Sequence, residues 1–338
     1  MSLAWAIIAF IGLAAIIAVA GTYLTKISDR LADVTGLGEA LVGGVLLGGV
    51  TSLSGIVTSV TAAFENHPEL AFSNAVGGIA AQTVFLAVAD IAYPRANLEH
   101  ASASLTSLMQ GVLLILMLGF VVLVMAVPPY TISSVHPASL VLLLIYIFGT
   151  RLISKAQKHP MWEPSNTSET VTDEPDEANA EKYRLTPLLL QFIGLAAVVA
   201  FAGYFIAQTA IQIADKTGVS ESFLGAVGTS IATSLPELVV SISAVRQGAL
   251  TLAVSNIIGG NTFDILFLAF ADSAYRNGSL YHHSDNEQLF IIALTILLSG
   301  VLLLGLLHRQ KYGFAKVGWE SLLMIALFIG GYLVLYFM

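Results

Sequence analysis

Residues 233–264 read TSLPELVVSISAVRQGALTLAVSNIIGGNTFD, two apolar runs that each carry one deep carboxylate, Glu237 and Asp264. The Ile, Leu, Val and Ala flanking them suffice to cross a bilayer. A charge so placed costs on the order of 3 kcal/mol on insertion scales, which marks it as functional. The reading is that Glu237 and Asp264 hold a cation near the membrane midplane.

The surrounding chain supports a membrane setting. Of its 338 residues 56% are hydrophobic and 11% charged, with a mean hydropathy of +0.83, the composition of a polytopic membrane protein. Windows of about 20 residues predict ten segments, at 3–25, 38–64, 69–92, 104–127, 137–153, 187–212, 220–245, 249–273, 287–308 and 316–337. There is no cysteine, which excludes disulfides, thiolate metal ligation and thiol catalysis and leaves the redox compartment open. A net charge of −8 gives no support to nucleic-acid binding.

Lys and Arg set the expected orientation. With the N-terminus outside, twelve of the fourteen fall in cytoplasmic loops and only Lys216 and Arg276 face out. The opening MSLAWAII has no basic residue and no small-residue cleavage site follows, so the first segment reads as a retained helix. Ten helices then put both termini outside and residues 154–186 in the cytoplasm. The compact chain and short linker point to a bacterial inner membrane.

The first half recurs in the second at an offset of 182 residues, without a gap from Ile11 to Tyr93. IGLAA at Ile11 matches IGLAA at Ile193, Asp33 and Gly36 match Asp215 and Gly218, and Thr51-Ser52-Leu53 matches Thr233-Ser234-Leu235. Ser73-Asn74, Gly77-Gly78, Asp90 and Tyr93 match Ser255-Asn256, Gly259-Gly260, Asp272 and Tyr275. Polar residues and glycines in one register are not what chance alignment of apolar helices produces. Five helices per copy is an odd number, so the copies enter the membrane in opposite senses. The expected fold is an all-α membrane protein of ten transmembrane helices in two inverted five-helix repeats, residues 1–153 and 187–338, with a site where they meet. Between them, residues 154–186 carry EPSNTSETVTDEPDEANAE and read as an acidic disordered linker; a weak cation-sensing loop is the alternative.

Hydroxyls cluster in the second and seventh segments: Thr51, Ser52, Ser54, Thr58 and Ser59, and Thr229, Ser230, Thr233, Ser234 and Ser241. Alone they fit helix packing equally well. Pro236 removes a backbone donor and frees the carbonyl of Ala232, adding oxygens beside Glu237. Gly259-Gly260-Asn261 can relax or unwind the helix ahead of Asp264; the structural alternative is close packing through small residues. Carboxylate, amide, hydroxyl and carbonyl together suit hard cations. His282, His283, Asp285 and Glu287 read as a solvated outer loop, and Asp90 and Asp272 as interfacial groups at helix ends, whose symmetry leaves a gating or ion-entry role open. No nucleophile with an adjacent base, nucleotide loop or hydrolase motif points to an enzyme.

On these motifs the chain resembles the cation/calcium exchanger superfamily, typified by sodium/calcium exchangers, over essentially its whole length. That family repeats a G-T-S-x-P-E-like and a G-S-N-x-x-N/D-like signature. The second half matches with ATSLPE (Ala232 to Glu237) and GGNTFD (Gly259 to Asp264). The resemblance implies cation ligands at Thr233, Ser234, Glu237 and Asp264. In the first half Ser54-Gly55 stands where the family has Pro-Glu, and GGIAAQ puts Gln82 where it has Asn or Asp. Thr51, Ser52 and Gln82 remain as neutral ligands. The implied activity is secondary antiport of Ca²⁺ against Na⁺ or H⁺, with inorganic cations and the lipid bilayer as the only partners and no cofactor. A monovalent-cation/proton antiporter and a degenerate, non-transporting cation sensor stay open beside it.

Overall fold

The computed structural model describes residues 2–35, 51–91, 93, 96–165, 167, 185–283, 285–313 and 317–338. The start of the predicted second segment, most of the acidic linker, and Gly36 of the repeat lie outside these residues. Among the described residues all regular elements are helices. The first half contains α1 (Leu3–Thr35), α2 (Leu53–Phe64), α3 (Pro68–Ile91), the short α4 (Leu98–Ser102), α5 (Leu105–Met125) and α6 (Pro137–Lys158). The second contains α7 (Leu185–Thr217), α8 (Glu221–Thr233), α9 (Leu235–Gln247), α10 (Leu250–Asp264), α11 (Leu266–Ala274), α12 (Asn286–His308) and α13 (Trp319–Phe337).

Among the described residues eight helical spans are long and apolar enough to cross a membrane, α10 and α11 together making one over Ala253–Ala274, or nine if bent α8 and α9 form another; α2 is a shorter apolar helix. Local chemistry sets several of their ends. Pro137 opens α6 behind His136, whose ring nitrogen accepts from Ala138 N, and Asp285 and Gln288 close a capping box on α12. Gly248, at φ +85°, stops α9 in a left-handed conformation that lacks the usual Cβ penalty.

Burial sorts the bundle. In α3 the most apolar window is 94% buried, whereas in α1 it is 17% buried, so α3 runs through the centre and α1 along the rim. The rim presents Ile8, Ile11, Val19, Phe201 and Leu333, side chains that acyl tails can solvate. α1 lies along α7, and packing recurs between halves: α2 on α7 as α9 on α1, α3 on α12 as α10 on α5, and α3 on α13 as α11 on α6.

The same register governs the hydrogen bonds of two buried aspartates. Asp90 accepts from Leu98 N, Gly318 N and Ser321 Oγ at 2.7, 3.0 and 3.0 Å. Asp272 accepts from Leu280 N, His136 N and Ser139 Oγ at 2.9, 2.8 and 2.7 Å, each donor 182 residues from its counterpart. Both aspartates, each in the last turn of its helix, have no exposed surface. Three donors apiece replace the water that burial removes, and each aspartate becomes a bracket joining one half to a helix start.

Helices from the two halves approach closely where glycine faces a twin of the central motif. A Cβ at Gly203 would lie 2.7 Å from the carbonyl oxygen of Ser54, whereas one at Gly194 on the same helix meets nothing within 4 Å. Forcing α2 and α7 apart costs about 1–3 kcal/mol, more than the roughly 1 kcal/mol that Gly→Ala returns in helix propensity. Gly203→Ala is therefore expected to lower the thermal midpoint in detergent, while Gly194→Ala leaves it unchanged or raises it.

Candidate cation site

One bent helix pair and one continuous helical span build the site. Between α8 and α9 the axis bends by 47° at Ser234, and Pro236 in the first turn of α9 cannot donate to the preceding turn. Glu237 follows in that first turn, where the helix dipole favours negative charge. Asp264 ends α10, and Ile265 after it keeps helical dihedrals (φ −59°, ψ −23°), so α10 and α11 continue as one span over Ala253–Ala274. Gly259-Gly260 remain helical, so the expected loosening there is not seen. Their missing side chains serve packing: a Cβ would stand 3.2 Å from Gln110 Nε2 at Gly259 and 3.6 Å from Gln82 Oε1 at Gly260.

Asp264 is fully enclosed and accepts from Ser52 Oγ at 2.5 Å and Gln82 Nε2 at 2.7 Å. The Gln82 amide also reaches Ser234 Oγ at 3.2 Å. Ser52 and Ser234 are repeat equivalents, as are Gln82 and Asp264, so four residues cross-link the halves in twin pairs. Both serines occupy N-cap positions, of α2 and α9, without capping the backbone, which leaves their hydroxyls to one another's half. Thr51 is buried beside Ser52; Thr233 bonds back to Ser230 O at 3.2 Å, and its own carbonyl accepts from Ser54 Oγ at 3.0 Å. Thr229 and Ser230 bond to carbonyls four residues back, so these two hydroxyls serve their own helix.

Glu237 is 4% exposed, and neither of its carboxyl oxygens has a hydrogen-bond partner. It lies near enough to Asp264 to feel its charge. Further buried acceptors without donors are Gln82 Oε1, Asn74 Oδ1 and Asn261 Oδ1. Both asparagines have their amide nitrogens engaged, Asn74 with Ser59 Oγ at 2.8 Å and Asn261 with Thr83 Oγ1 at 3.0 Å. Asn in an apolar helix reads first as packing, and Asn74 carries a further signal in the repeated Ser-Asn pair.

These oxygens fit a hard cation. Buried acceptors without donors carry a penalty of about 1–3 kcal/mol each, and a cation bound among them would remove it. Among the described residues no group of three His, Asp or Glu side chains could hold a metal, so an ion at Glu237 and Asp264 would need neutral oxygens as well. Asp264 has spare lone pairs after accepting two hydrogen bonds and could keep both donors while binding an ion. Opposite Glu237 in the repeat stands Gly55, and the space there is filled: a Cβ would lie 2.6 Å from the Phe267 ring. One half is acidic and the other neutral.

A family model described as sodium/calcium exchanger protein matches residues 5–154 and again residues 187–338. The uncharacterized membrane protein MJ0091 of Methanocaldococcus jannaschii is 26% identical over 306 residues, spanning 89% of this chain and 88% of that one. The sodium/calcium exchanger MaX1 of Methanosarcina acetivorans is 28% identical over 145 residues, 43% of this chain and 39% of its own. Among solved structures, the sodium-calcium exchanger NCX_Mj superposes with a TM-score of 0.60 at 21% identity, covering 97% of this chain and 98% of that one, a likeness of fold.

The packing at Gly55 makes a specific forecast. Gly55→Glu drives a side chain into the Phe267 ring, an overpacking cost of about 1–3 kcal/mol, and Phe267→Ala alone opens a cavity worth about 3–5 kcal/mol. Combined, the two changes should relieve each other. A double-mutant cycle on unfolding in detergent is expected to give a favourable coupling of at least about 1 kcal/mol; additive losses would mean that the ring does not hold the glutamate's place.

Proposed function

The chain belongs to the sodium/calcium exchanger family of membrane transport proteins, and from that premise we propose that it is a secondary antiporter exporting Ca²⁺ against Na⁺ or H⁺. The observation that carries this reading is the buried, unpartnered Glu237 carboxyl beside Asp264. Two ionised carboxylates cancel one divalent charge, and Ca²⁺ takes six to eight oxygens. In this reading Thr51, Ser52, Gln82, Thr233 and Ser234 supply neutral oxygens, with carbonyls of the bent helix pair and water completing the shell. Inorganic cations are the cargo, the bilayer is the surrounding, and no cofactor takes part.

The proposed architecture is ten helices in two inverted repeats, residues 1–153 and 187–338, joined by a cytoplasmic linker over 154–186, with both termini outside a bacterial inner membrane. The 182-residue register of the aspartate brackets and of the Ser52–Asp264 and Ser234–Gln82 contacts supports it. Alternating access then follows from charge. Two uncompensated carboxylates crossing a low-dielectric barrier cost several kcal/mol per ion, so the empty site reorients slowly, while a loaded, neutral site reorients readily.

Replacement of the family's first glutamate by Gly55 alters this balance. With Phe267 filling that space, simultaneous binding of several sodium ions loses a charged ligand, so stoichiometry or selectivity changes. The same fact favours the second reading, a monovalent-cation/proton antiporter, in which the remaining carboxylates bind one small ion or a proton.

Calorimetric titration with Ca²⁺, Mg²⁺, Na⁺ and K⁺, followed by flux in proteoliposomes, separates these readings. Ca²⁺ binding and Na⁺- or H⁺-driven Ca²⁺ flux are expected, both lost in Glu237→Gln. Binding of only Na⁺ or K⁺ would move the monovalent reading ahead, and binding without flux would make the protein a sensor.

A further inference from the structure

A second pair of buried carboxyls lies away from the cation site, at the end of the bundle where α3, α12 and α13 meet α4. Glu99, in α4, and Glu320, in the first turn of α13, are 1% and 0% exposed. None of their four oxygens has a hydrogen-bond donor, and the two carboxyls lie within hydrogen-bonding reach of each other. Asp90 adds a third charge nearby, but its oxygens are already taken by Leu98 N, Gly318 N and Ser321 Oγ.

Among the described residues His308, at the end of α12, is the one basic side chain whose charge acts on Glu320. The Arg309 guanidinium is turned to the carbonyls of His100 and Ser165, and His100 bonds to Arg309 O. Burial, with the charges of Asp90 and Glu320 added, pushes the Glu99 carboxyl well above the usual carboxylate range. A metal ion does not fit. Gly305 and Gly318 leave no room beside the Glu320 side chain, where even an added Cβ would lie within 2.6 Å of it, and among the described residues the pair has no third His, Asp or Glu to complete a metal site.

The opposite end of the bundle has the same bracket without the acids. There Tyr281 stands at the position equivalent to Glu99 and Ala138 at that of Glu320, and the Tyr281 hydroxyl pairs with Ser139 Oγ at 3.0 Å. The fold therefore closes this bracket without a carboxyl pair, and the acids at one end need another explanation.

We propose that Glu99 and Glu320 form a second ion-binding site, which holds one proton shared between the two carboxyls and latches α4 to α13. Two adjacent buried carboxylates cannot both ionise without separating. A proton held more tightly in the folded protein than in the unfolded chain stabilises at low pH and is lost as pH rises, so the latch weakens toward alkaline pH.

The test does not use flux, so it stands or falls separately from the transport reading. Infrared spectra of the full-length protein in lipid nanodiscs, together with its thermal midpoint, would be recorded from mildly acidic to alkaline pH. The wild type should show a buried protonated-carboxyl band that disappears, and a midpoint that falls, as pH rises. Glu99→Gln and Glu320→Gln should each remove that band and flatten the fall, whereas Tyr281→Phe at the other end leaves both. Should the glutamine variants not fold, Glu99→Tyr, copying the equivalent position, carries the same comparison. A band and slope unchanged in the variants, or a band displaced by Ca²⁺ through these two residues, would overturn the proposal.

Discussion

A buried carboxylate in a bilayer-sized helix bundle must find donors, a proton or a cation within the protein, because no water is at hand to solvate it. The rest of this structure follows from how each acid meets that condition. Asp90 and Asp272 meet it with three donors apiece and so tie helix ends together. Asp264 meets it in part, through Ser52 and Gln82 from the opposite half. Glu237 has no donor, and the helix break at Ser234 puts it where only its own helix dipole favours charge. That unmet need is what the proposed cation site rests on.

Repetition supplies the geometry and divergence supplies the chemistry. Twin serines at twin N-caps reach across to a pair, Gln82 and Asp264, that share a position but differ in charge. The amide can donate to its partner where a second carboxylate would repel it, so the neutral half steadies the acidic half. Gly55 and Glu237 extend the same contrast, with Phe267 taking the volume that a glutamate would need. The cation site thus inherits its symmetry from the fold and its net charge from only one repeat.

Motion and rigidity divide along the same elements. The bend at Ser234 sits beside Glu237, so a change of charge there would act where the helix is already broken. The aspartate brackets lie at the bundle's ends, where α13 and α6 begin, and hold those helices to the central pair. Close glycine contacts such as Gly203 on Ser54 keep the rim helices in register with the core.

Much of this was legible in the residues themselves. Membrane insertion follows from long apolar runs, and the 182-residue register from polar residues and glycines that packing alone would not repeat. Glu237 and Asp264 stood out because charge within an apolar run is costly, and the bend at Pro236 because proline removes a donor. Tertiary structure alone decided which oxygens are engaged. The donors that Asp90 and Asp272 accept from could not be read, because a helix end in sequence does not reveal which distant loop folds over it. Glu99 and Glu320, 221 positions apart, had no local pattern to join them. The filling of the Gly55 gap by Phe267 was equally hidden. Sequence records which groups must be satisfied, through the free energy of placing them in lipid; contacts between distant segments determine how, because hydrogen bonds depend on distance and direction that only the packed bundle defines.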